Sequence, residues 1–520
     1  MLPDPTFAEL TLGAVLRRVA ELRGERPALL GDGRELSWAE LDAEVDRIAA
    51  LLHSVGVAKG DVVAFMLTKR PEVVVGFLAC ARLGALYAPV NFKLHPDHIR
   101  DQFQTAGIQT IFVETAFDQL LKGLLPELPD PRRIIYVGEM GRLGESHYDD
   151  LAELPAPDVD LDIDDPCYLN YTSGTTGRPK GAVTTHRNIN VQGLTAFDLD
   201  GDGLGFTSDH VFLGMFSVFA HPHELFHRSL LCGGAFVIMD SLNPRVIATT
   251  IERFGVSWMM AVPSFYEMLL DHVADGGADI SSLSVLESGG AFVSADTLRR
   301  MEDAFGAAFM PVWGSTETTG VAVAMRPDRP RRPGCTGRPV RGYEIRLVDR
   351  QGRDVATGEV GEMIVRGEAV VSGYLNNPEE TELLFEDGWY HTRDLVTRTE
   401  EGFLSFVGRR SEMLKIGGIR VYPLEIEKVV KDHPEVRDVV VVRAEERIRG
   451  EIARCVVELN PGATLTVRGV QKYCRNRLAV YKVPRVVEFW DEIPKLPNGK
   501  IDKKAVVARP MDPARDERES

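Results

Sequence analysis

The chain has 520 residues, 44% of them hydrophobic, and 60 Lys plus Arg against 77 Asp plus Glu give a formal charge of −17. At roughly 150 residues per domain this allows about three globular units. The acidic balance argues against nucleic acid or an anionic membrane as main partner, yet leaves room for ATP, whose site needs only a local positive field. Cys80, Cys167, Cys232, Cys335, Cys455 and Cys474 include no Cys-x-x-Cys pair. That excludes the common thiolate zinc sites, gives no sign of a disulfide framework and fits a reducing cytoplasm. The opening segment Met1 to Thr6 lacks the basic-then-apolar order of a signal peptide.

Short apolar runs then alternate with helical spacing. Val62 to Met66 predicts a strand and Pro71 to Leu83 a helix. The most apolar stretch, Val73 to Val90, is broken by Arg82, so it reads as a buried helix running into a strand and not as a membrane span. Further strands are predicted at Ala85 to Val90, Thr110 to Val113, Arg133 to Val137, Val211 to Met215, Ala235 to Met239 and Ser257 to Val262. Helical segments between them imply an α/β fold of layered, largely parallel sheets. Near Gly342 the texture changes: Tyr343 to Val348, Glu362 to Arg366 and Phe403 to Val407, joined by turns such as Asp349 to Gly352, predict a smaller β-rich unit. A second shift follows Gly408. From Pro423 the order is helix, strand, strand, helix, strand, with elements at Leu424 to Asp432, Asp438 to Val442, Ile452 to Leu459, Val467 to Leu478 and Arg485 to Phe489. The predicted architecture is a large N-terminal domain over 1–409 with a small α+β domain over 410–520.

The strongest chemical signal is Tyr171-Thr-Ser-Gly-Thr-Thr-Gly-Arg-Pro-Lys-Gly181, which follows the strand-like Pro166 to Asn170. Glycines let backbone N–H groups approach a ligand, and the hydroxyls of Thr172, Ser173, Thr175 and Thr176 add donors suited to phosphate oxygens. Gly174 lies at the centre and Lys180 adds a full charge at the rim. The spacing is not that of the Walker loop. A solvated polar turn is the competing reading.

This segment resembles the phosphate loop of the adenylate-forming superfamily, which comprises acyl- and aryl-CoA synthetases, peptide-synthetase adenylation domains and firefly-type luciferases. The resemblance runs from Leu36-Ser-Trp-Ala-Glu-Leu-Asp42 to Leu496-Pro-Asn-Gly-Lys-Ile-Asp502, with further blocks in the family's order. It implies a large N-terminal domain and a small, mobile C-terminal one. In Trp313-Gly-Ser-Thr-Glu-Thr-Thr319 it assigns Trp313, Gly314, Ser315 and Thr316 to the nucleotide and acyl side and Glu317 to magnesium. A carboxylate beside a triphosphate needs a divalent cation between them, whereas the plain alternative makes Glu317 a helix-capping acid. Gly289, Gly290 and Ala291 resemble the adenine-side turn, although a tight turn alone would read the same.

Asp394, in Tyr390-His-Thr-Arg-Asp394, matches the acceptor of both ribose hydroxyls, and Arg409 the arginine near ribose and phosphate. A carboxylate suits a vicinal diol because it has two acceptor oxygens and no donor. A surface ion pair is the alternative. Ser411 stands at the hinge position, where relatives usually carry Asp or Lys. Lys415, Gly417, Gly418 and Arg420 match the loop that enters for thiol transfer, or make a plain β-turn. Lys500 matches the lysine that bridges the acyl carboxylate and the α-phosphate; alone it would read as a solvated turn residue.

The resemblance thus implies ATP, Mg2+ and coenzyme A as reactants and cofactors, a small carboxylic acid as substrate, and Lys500, Glu317 and Lys180 as catalytic residues. Phe216, Ser217, His221, Gly290 and Trp313 would line the acyl pocket, and the aromatics Phe216, Phe219 and Phe226 favour an aryl or fatty acid. His221, His223 and His227 lack a matching acid at metal-site spacing and read as packing or pocket lining. No Asp between Met215 and Glu224 is available to hold an α-ammonium, which weakens amino-acid activation. The leading expectation is a cytoplasmic carboxylate–CoA ligase without membrane association, compatible with a homodimer. A stand-alone enzyme loading a carrier protein and an inactive nucleotide-binding scaffold are the alternatives; nothing points to luciferase-like oxidation.

Overall fold

The structure, a computed structural model, describes residues 2–31, 33–127, 133–139, 141, 143, 146–148, 157–173, 179–197, 203–273, 277–290, 293, 295–329, 332, 334–416, 419–446, 450–496 and 500–511. The expected site residues Gly174, Thr175, Thr176, Ala291, Gly417 and Gly418 lie outside them, as does the side chain of Ser173.

Among the described residues a nine-stranded sheet has a parallel centre. Its strands Ala308–Ser315, Val285–Gly289, Trp258–Ala261, Val211–Gly214, Ala235–Val237 and Pro27–Leu30 lie side by side in that order. A seven-stranded sheet is parallel through Arg133–Tyr136, Thr110–Val113, Val62–Met66 and Leu86–Pro89, and ends on the antiparallel pair Pro166–Ser173 and Pro179–Thr185. Strand alternation feeds two cores at once. Val63 and Phe65 face the largest core, which they share with Phe212 and Trp258 of the other sheet, while Val62, Ala64 and Met66 face a second core on the opposite side. Both faces are covered, which is why these strands are apolar throughout.

The helix Pro71–Leu83 is buried along its whole length. Pro71 opens it, and Gly84 ends it in the left-handed region at φ 76°. Arg82 is accommodated there by Asp42 at 2.5 Å and Asp46 at 2.6 Å, so the charge that interrupts the apolar run is neutralised inside the protein. No helix among the described residues is long and apolar enough to cross a membrane.

Beyond these layers a five-stranded antiparallel sheet holds Glu344–Val348, Gly361–Arg366, Trp389–Arg398 and Leu404–Arg409. The C-terminal unit stacks helices Pro423–Lys431 and Val467–Arg475 on a sheet of Val436–Glu446, Gly450–Leu459 and Val486–Phe489, with its own apolar core. The helix–strand–strand–helix–strand order is the predicted one. The second helix stops at Arg475, short of the predicted Leu478, where Asn476 forms its C-cap.

Candidate active site

The strand order of the large sheet reverses at Val211–Gly214, with Ala235–Val237 on one side and Trp258–Ala261 on the other. The carboxyl ends around such a reversal form a crevice that takes ligands in open α/β sheets. Gly289 and Gly290 end one strand there and Trp313 to Ser315 end its neighbour. Gly290 has φ 85°, a conformation that favours glycine, and a Cβ on Gly314 would stand 2.3 Å from the Gly320 carbonyl oxygen. Both positions leave backbone exposed: at Gly314 a side chain would collide with backbone, and at Gly290 one is disfavoured by the conformation and would press on Lys500.

Trp313 and Asp394 meet across this crevice. The indole Nε1 donates to Asp394 Oδ2 at 2.9 Å, and Arg409, the cross-strand partner of Asp394, brings Nε within 3.2 Å of Oδ1. Asp394 is 4% exposed while the Arg409 side chain is 63% exposed, so this is a buried carboxylate with an arginine at its mouth and not a surface pair. Burial raises the Asp394 pKa, against the pull of Arg409 and Trp313. Oδ1 accepts no hydrogen bond among the described residues, leaving an acceptor inside the crevice.

A second group surrounds Glu317. Tyr374 and Tyr390 donate their hydroxyls to its two oxygens at 2.6 and 3.0 Å, and burial together with the Glu317 carboxylate raises both phenol pKa values. Glu317 caps no helix; it sits in the turn between Ala308–Ser315 and Gly320–Ala324, where Ser315 N donates to Thr318 Oγ1 at 2.9 Å. Thr316 is in the same turn, with its carbonyl bonded to Thr319 N. Lys180 is buried, and its ammonium lies 2.6 Å from Glu380 and 5.8 Å from the Tyr374 ring centre. The expected rim position is thus an interior one, and the strand pairing puts Lys180 directly across from Thr172.

Among the described residues no group of three or more His, Cys, Asp or Glu is placed to hold a metal, and His221, His223 and His227 do not form one. A divalent cation would be held here by one carboxylate together with phosphate and water oxygens, the usual magnesium manner. Glu317 fits that role, being a hard oxygen donor whose orientation two phenols fix.

Lys500 comes from the C-terminal unit. Its Cε and Nζ lie 2.8 and 3.2 Å from where a Cβ on Gly290 would stand. Its pKa is lowered by burial and by the Arg409 charge, while Asp394 pulls it upward. The structure thus brings Lys500 together with Gly290, Asp394 and Arg409. Lys415 and Arg420 face each other on the hairpin Leu414–Ile416 and Ile419–Val421, both exposed, and Lys415 N donates to Glu451 at 2.6 Å. Ser411 is exposed in the turn just before it.

Phe216, Ser217 and His221 follow the reversal strand and are half-buried. Ser217 Oγ is used locally, accepting from Phe219 N at 3.2 Å. Phe226 is buried in the core against Phe77. His223 Nε2 donates to the Thr319 carbonyl at 2.9 Å. Sequence reasoning gave no role to Tyr374, Glu380 or Glu224, and left Tyr390 unassigned inside a block it had singled out. The side chains that clamp Glu317 come from outside its own motif, so only three-dimensional proximity identifies them.

The pattern of the family described as AMP-binding enzyme matches residues 16–375, and that of the AMP-binding enzyme C-terminal domain matches 425–500. The chain is 32% identical over 506 residues to a feruloyl-CoA synthase from an Amycolatopsis species, covering 96% of this chain and 99% of that one. It is 31% identical to 4-coumarate–CoA ligase 3 of Oryza sativa subsp. japonica, over 95% of this chain and 90% of the relative. Among solved structures, an anthranilate CoA ligase in complex with anthranoyl-AMP superposes with a TM-score of 0.88 at 26% identity, covering 96% and 97% of the two chains. The chain belongs to the AMP-binding enzyme family, on the acyl- and aryl-CoA ligase branch of the adenylate-forming superfamily.

Proposed function

We propose that this enzyme runs its two half-reactions in the crevice between Gly290 and Asp394, and that its substrate is a small aryl or arylalkenoic acid. In the first half-reaction a carboxylate oxygen attacks the α-phosphorus of ATP and pyrophosphate leaves; in the second a thiol of coenzyme A attacks the acyl-adenylate carbonyl and AMP leaves. Asp394 accepts from the ribose diol on the open Oδ1 and on the lone pair of Oδ2 that Trp313 leaves free, with Arg409 beside it toward the phosphate. Lys500 holds the two anions that must meet, the acid's carboxylate and the α-phosphate. A preorganised donor of this kind contributes ~3–4 kcal/mol to the transition state. Bound Mg2+ would neutralise phosphate charge beside Glu317. Lys180 and Thr172 stand at the base of the phosphate loop.

The observation that carries this reading is the reach of Lys500 across to Gly290, beside Asp394 and Arg409. It corresponds to the first half-reaction. For the second, a rotation of residues 410–520 about Ser411 would withdraw Lys500 and bring in the Lys415–Arg420 hairpin, a gating step that exchanges one wall of the site. The aryl preference is supported by the half-buried Phe216 and Phe219 beside the reversal strand and by the aromatic acids that the relatives' names carry. The test is a panel of carboxylic acids scored for AMP release with and without coenzyme A, and with a phosphopantetheinyl carrier protein in its place. Acid-dependent AMP release that coenzyme A accelerates is expected; release that only the carrier accelerates would reassign the acceptor.

A further inference from the structure

Behind the turn that carries Glu317 lies a buried polar cluster that the adenylation chemistry does not use. Glu224 is 6% exposed, and its Oε1 has no hydrogen-bond partner among the described residues. That oxygen lies 2.5 Å from where a Cβ on Gly320 would stand, and the equally unpartnered Nε2 of Gln192 lies 3.0 Å from the same point. His223 is 1% exposed. Since its Nε2 must donate to the Thr319 carbonyl, and burial lowers its pKa to about 4, its Nδ1 is a bare acceptor, also unpartnered. Burial raises the Glu224 pKa to about 8, so near neutral pH its carboxyl is largely protonated and pairs through one carbonyl acceptor and one O–H donor. That carboxyl and His223 Nδ1, neighbours along the chain, each cost roughly 1–3 kcal/mol if nothing pairs them.

Glu224 is not needed as a counter-ion. Arg228 is neutralised by Glu287, with Nη2 to Oε1 at 3.0 Å, and Trp258 Nε1 completes that carboxylate at 2.8 Å. The backbone around the cluster is strained on both walls: His221 has φ 54° and Thr319 φ 55°, neither a glycine. Such strain gathers at ligand sites. The cluster also connects forward to the reaction centre. The His221 and His223 rings are 5.8 Å apart and His221 Nδ1 is itself unpartnered; burial lowers the His221 pKa first, with smaller contributions from His223 and Lys500.

We propose that Glu224, with His223 beside it, closes the far end of the acyl pocket and accepts a hydrogen bond from a hydroxyl or amino group that the acid carries at the end remote from its carboxylate. This rests on the ligase reading above and makes Glu224 a specificity-determining residue. A site built to pair such a group rejects the analogue that lacks it, because its own buried acceptors are then left empty.

The experiment compares kcat/KM for AMP release on matched acids, 4-hydroxycinnamic against cinnamic acid and 3- and 4-aminobenzoic against benzoic acid, in the wild type, Glu224→Gln and Glu224→Leu. In the wild type at least one donor-bearing acid is expected to exceed its unsubstituted partner by about 10²-fold or more. That ratio should fall at least tenfold in Glu224→Leu and less in Glu224→Gln, chiefly through KM; which acid wins identifies hydroxyl or amine and its place on the ring. Wild-type ratios near one for every pair, with AMP still released, would overturn the proposal and leave the ligase reading standing; the cluster would then hold only structural water. An unchanged ratio in a folded Glu224→Leu would overturn it equally. No AMP release with any acid would instead sink the ligase reading, and this proposal with it.

Discussion

Trp313 Nε1 donates to Asp394 Oδ2 at 2.9 Å, joining the large parallel sheet to the five-stranded one. The bond occupies one carboxylate oxygen and aims the other into the crevice. Trp313→Phe should keep the stacking surface but free the carboxylate to rotate, raising the KM for ATP several-fold. Asp394→Ala removes the acceptor itself, and hydrogen bonds to a charged group are worth about 1.5–3 kcal/mol, so KM for ATP should rise by roughly 10- to 100-fold. Pyrophosphate exchange at varied ATP measures both. A larger effect from Trp313→Phe than from Asp394→Ala would contradict this ordering.

Lys500→Ala should cost about 10²–10³-fold in acid-dependent pyrophosphate exchange, yet largely spare acyl transfer to coenzyme A from supplied acyl-adenylate. Equal loss of both steps would remove Lys500 from its assigned role. The lowered Lys500 pKa adds a pH signature. The cation does the work, so activity is full below that pKa and falls as pH rises through it, at a lower pH than the ~10.4 of an ordinary lysine. Lys500→Arg, which does not titrate, should push that alkaline limb upward whatever activity it retains.

Glu317 supplies a different test, because its two phenol donors come from separate strands and loops. Tyr374→Phe or Tyr390→Phe leaves one oxygen of a buried carboxylate without its donor, costing about 1–3 kcal/mol of stability. Each should also raise the Mg2+ concentration needed for half-maximal pyrophosphate exchange, with Glu317→Gln raising it most. Thermal melting and Mg2+ titration separate the two effects. Melting that shifts while the Mg2+ requirement stays fixed would make the tyrosines purely structural.

Much of this was legible beforehand because the relevant physics is local. Pro71 at one end of an apolar run and Gly84 at the other delimit a helix, and the short, continuous apolar run Val62–Met66 marks a strand buried on both faces. Asp394 and Arg409 could be read as a pair, though not which one is buried: that depends on Trp313, 81 residues earlier in the chain, covering the carboxylate. Lys180 looked like a rim cation because the glycines and hydroxyls around it suit a solvated loop. Its burial comes from Glu380, in a helix far along the chain. Phe226 reads with Phe216 and Phe219 as favouring an apolar acid, since aromatic residues near a pocket and aromatic residues in a core have the same sequence. Glu224 passed unremarked for the complementary reason: an acid in a polar run gives no sign that folding will strip its water.

Acid sensitivity should come from His186. It is fully buried, its Nδ1 accepts from Leu12 N at 3.2 Å, and burial lowers its pKa to about 4. The unfolded chain takes up a proton near pH 6.5 that the folded chain refuses until about 4. Stability is therefore complete above the unfolded value and declines as pH falls from there toward 4, by on the order of 2–3 kcal/mol from this residue. Denaturant unfolding at pH 7 and pH 5 should show a smaller difference in His186→Gln than in the wild type, even though the variant is weaker at pH 7. An equal difference would assign the acid sensitivity to His221 and His223, whose pKa values are also lowered.

Gly290→Ala tests the contact between the two domains directly. At φ 85° an alanine is strained, and its Cβ would stand 2.8 Å from Lys500 Cε, a flexible side chain belonging to the C-terminal unit. The strain is local and roughly 1–2 kcal/mol for a non-glycine residue in the left-handed region, so the fold should survive. What the methyl group displaces is Lys500, and with it the arrangement in which adenylation occurs. Pyrophosphate exchange should drop at least tenfold, and acyl transfer from supplied acyl-adenylate, which needs Lys500 withdrawn, should change much less. Glycine elsewhere in the same conformation offers a control: Gly352 has φ 75° with nothing within 4 Å of its would-be Cβ. Gly352→Ala therefore carries the backbone strain alone and should lower the melting temperature without separating the two half-reactions. If both variants slowed both steps alike, the closeness of Gly290 and Lys500 would have no part in the chemistry.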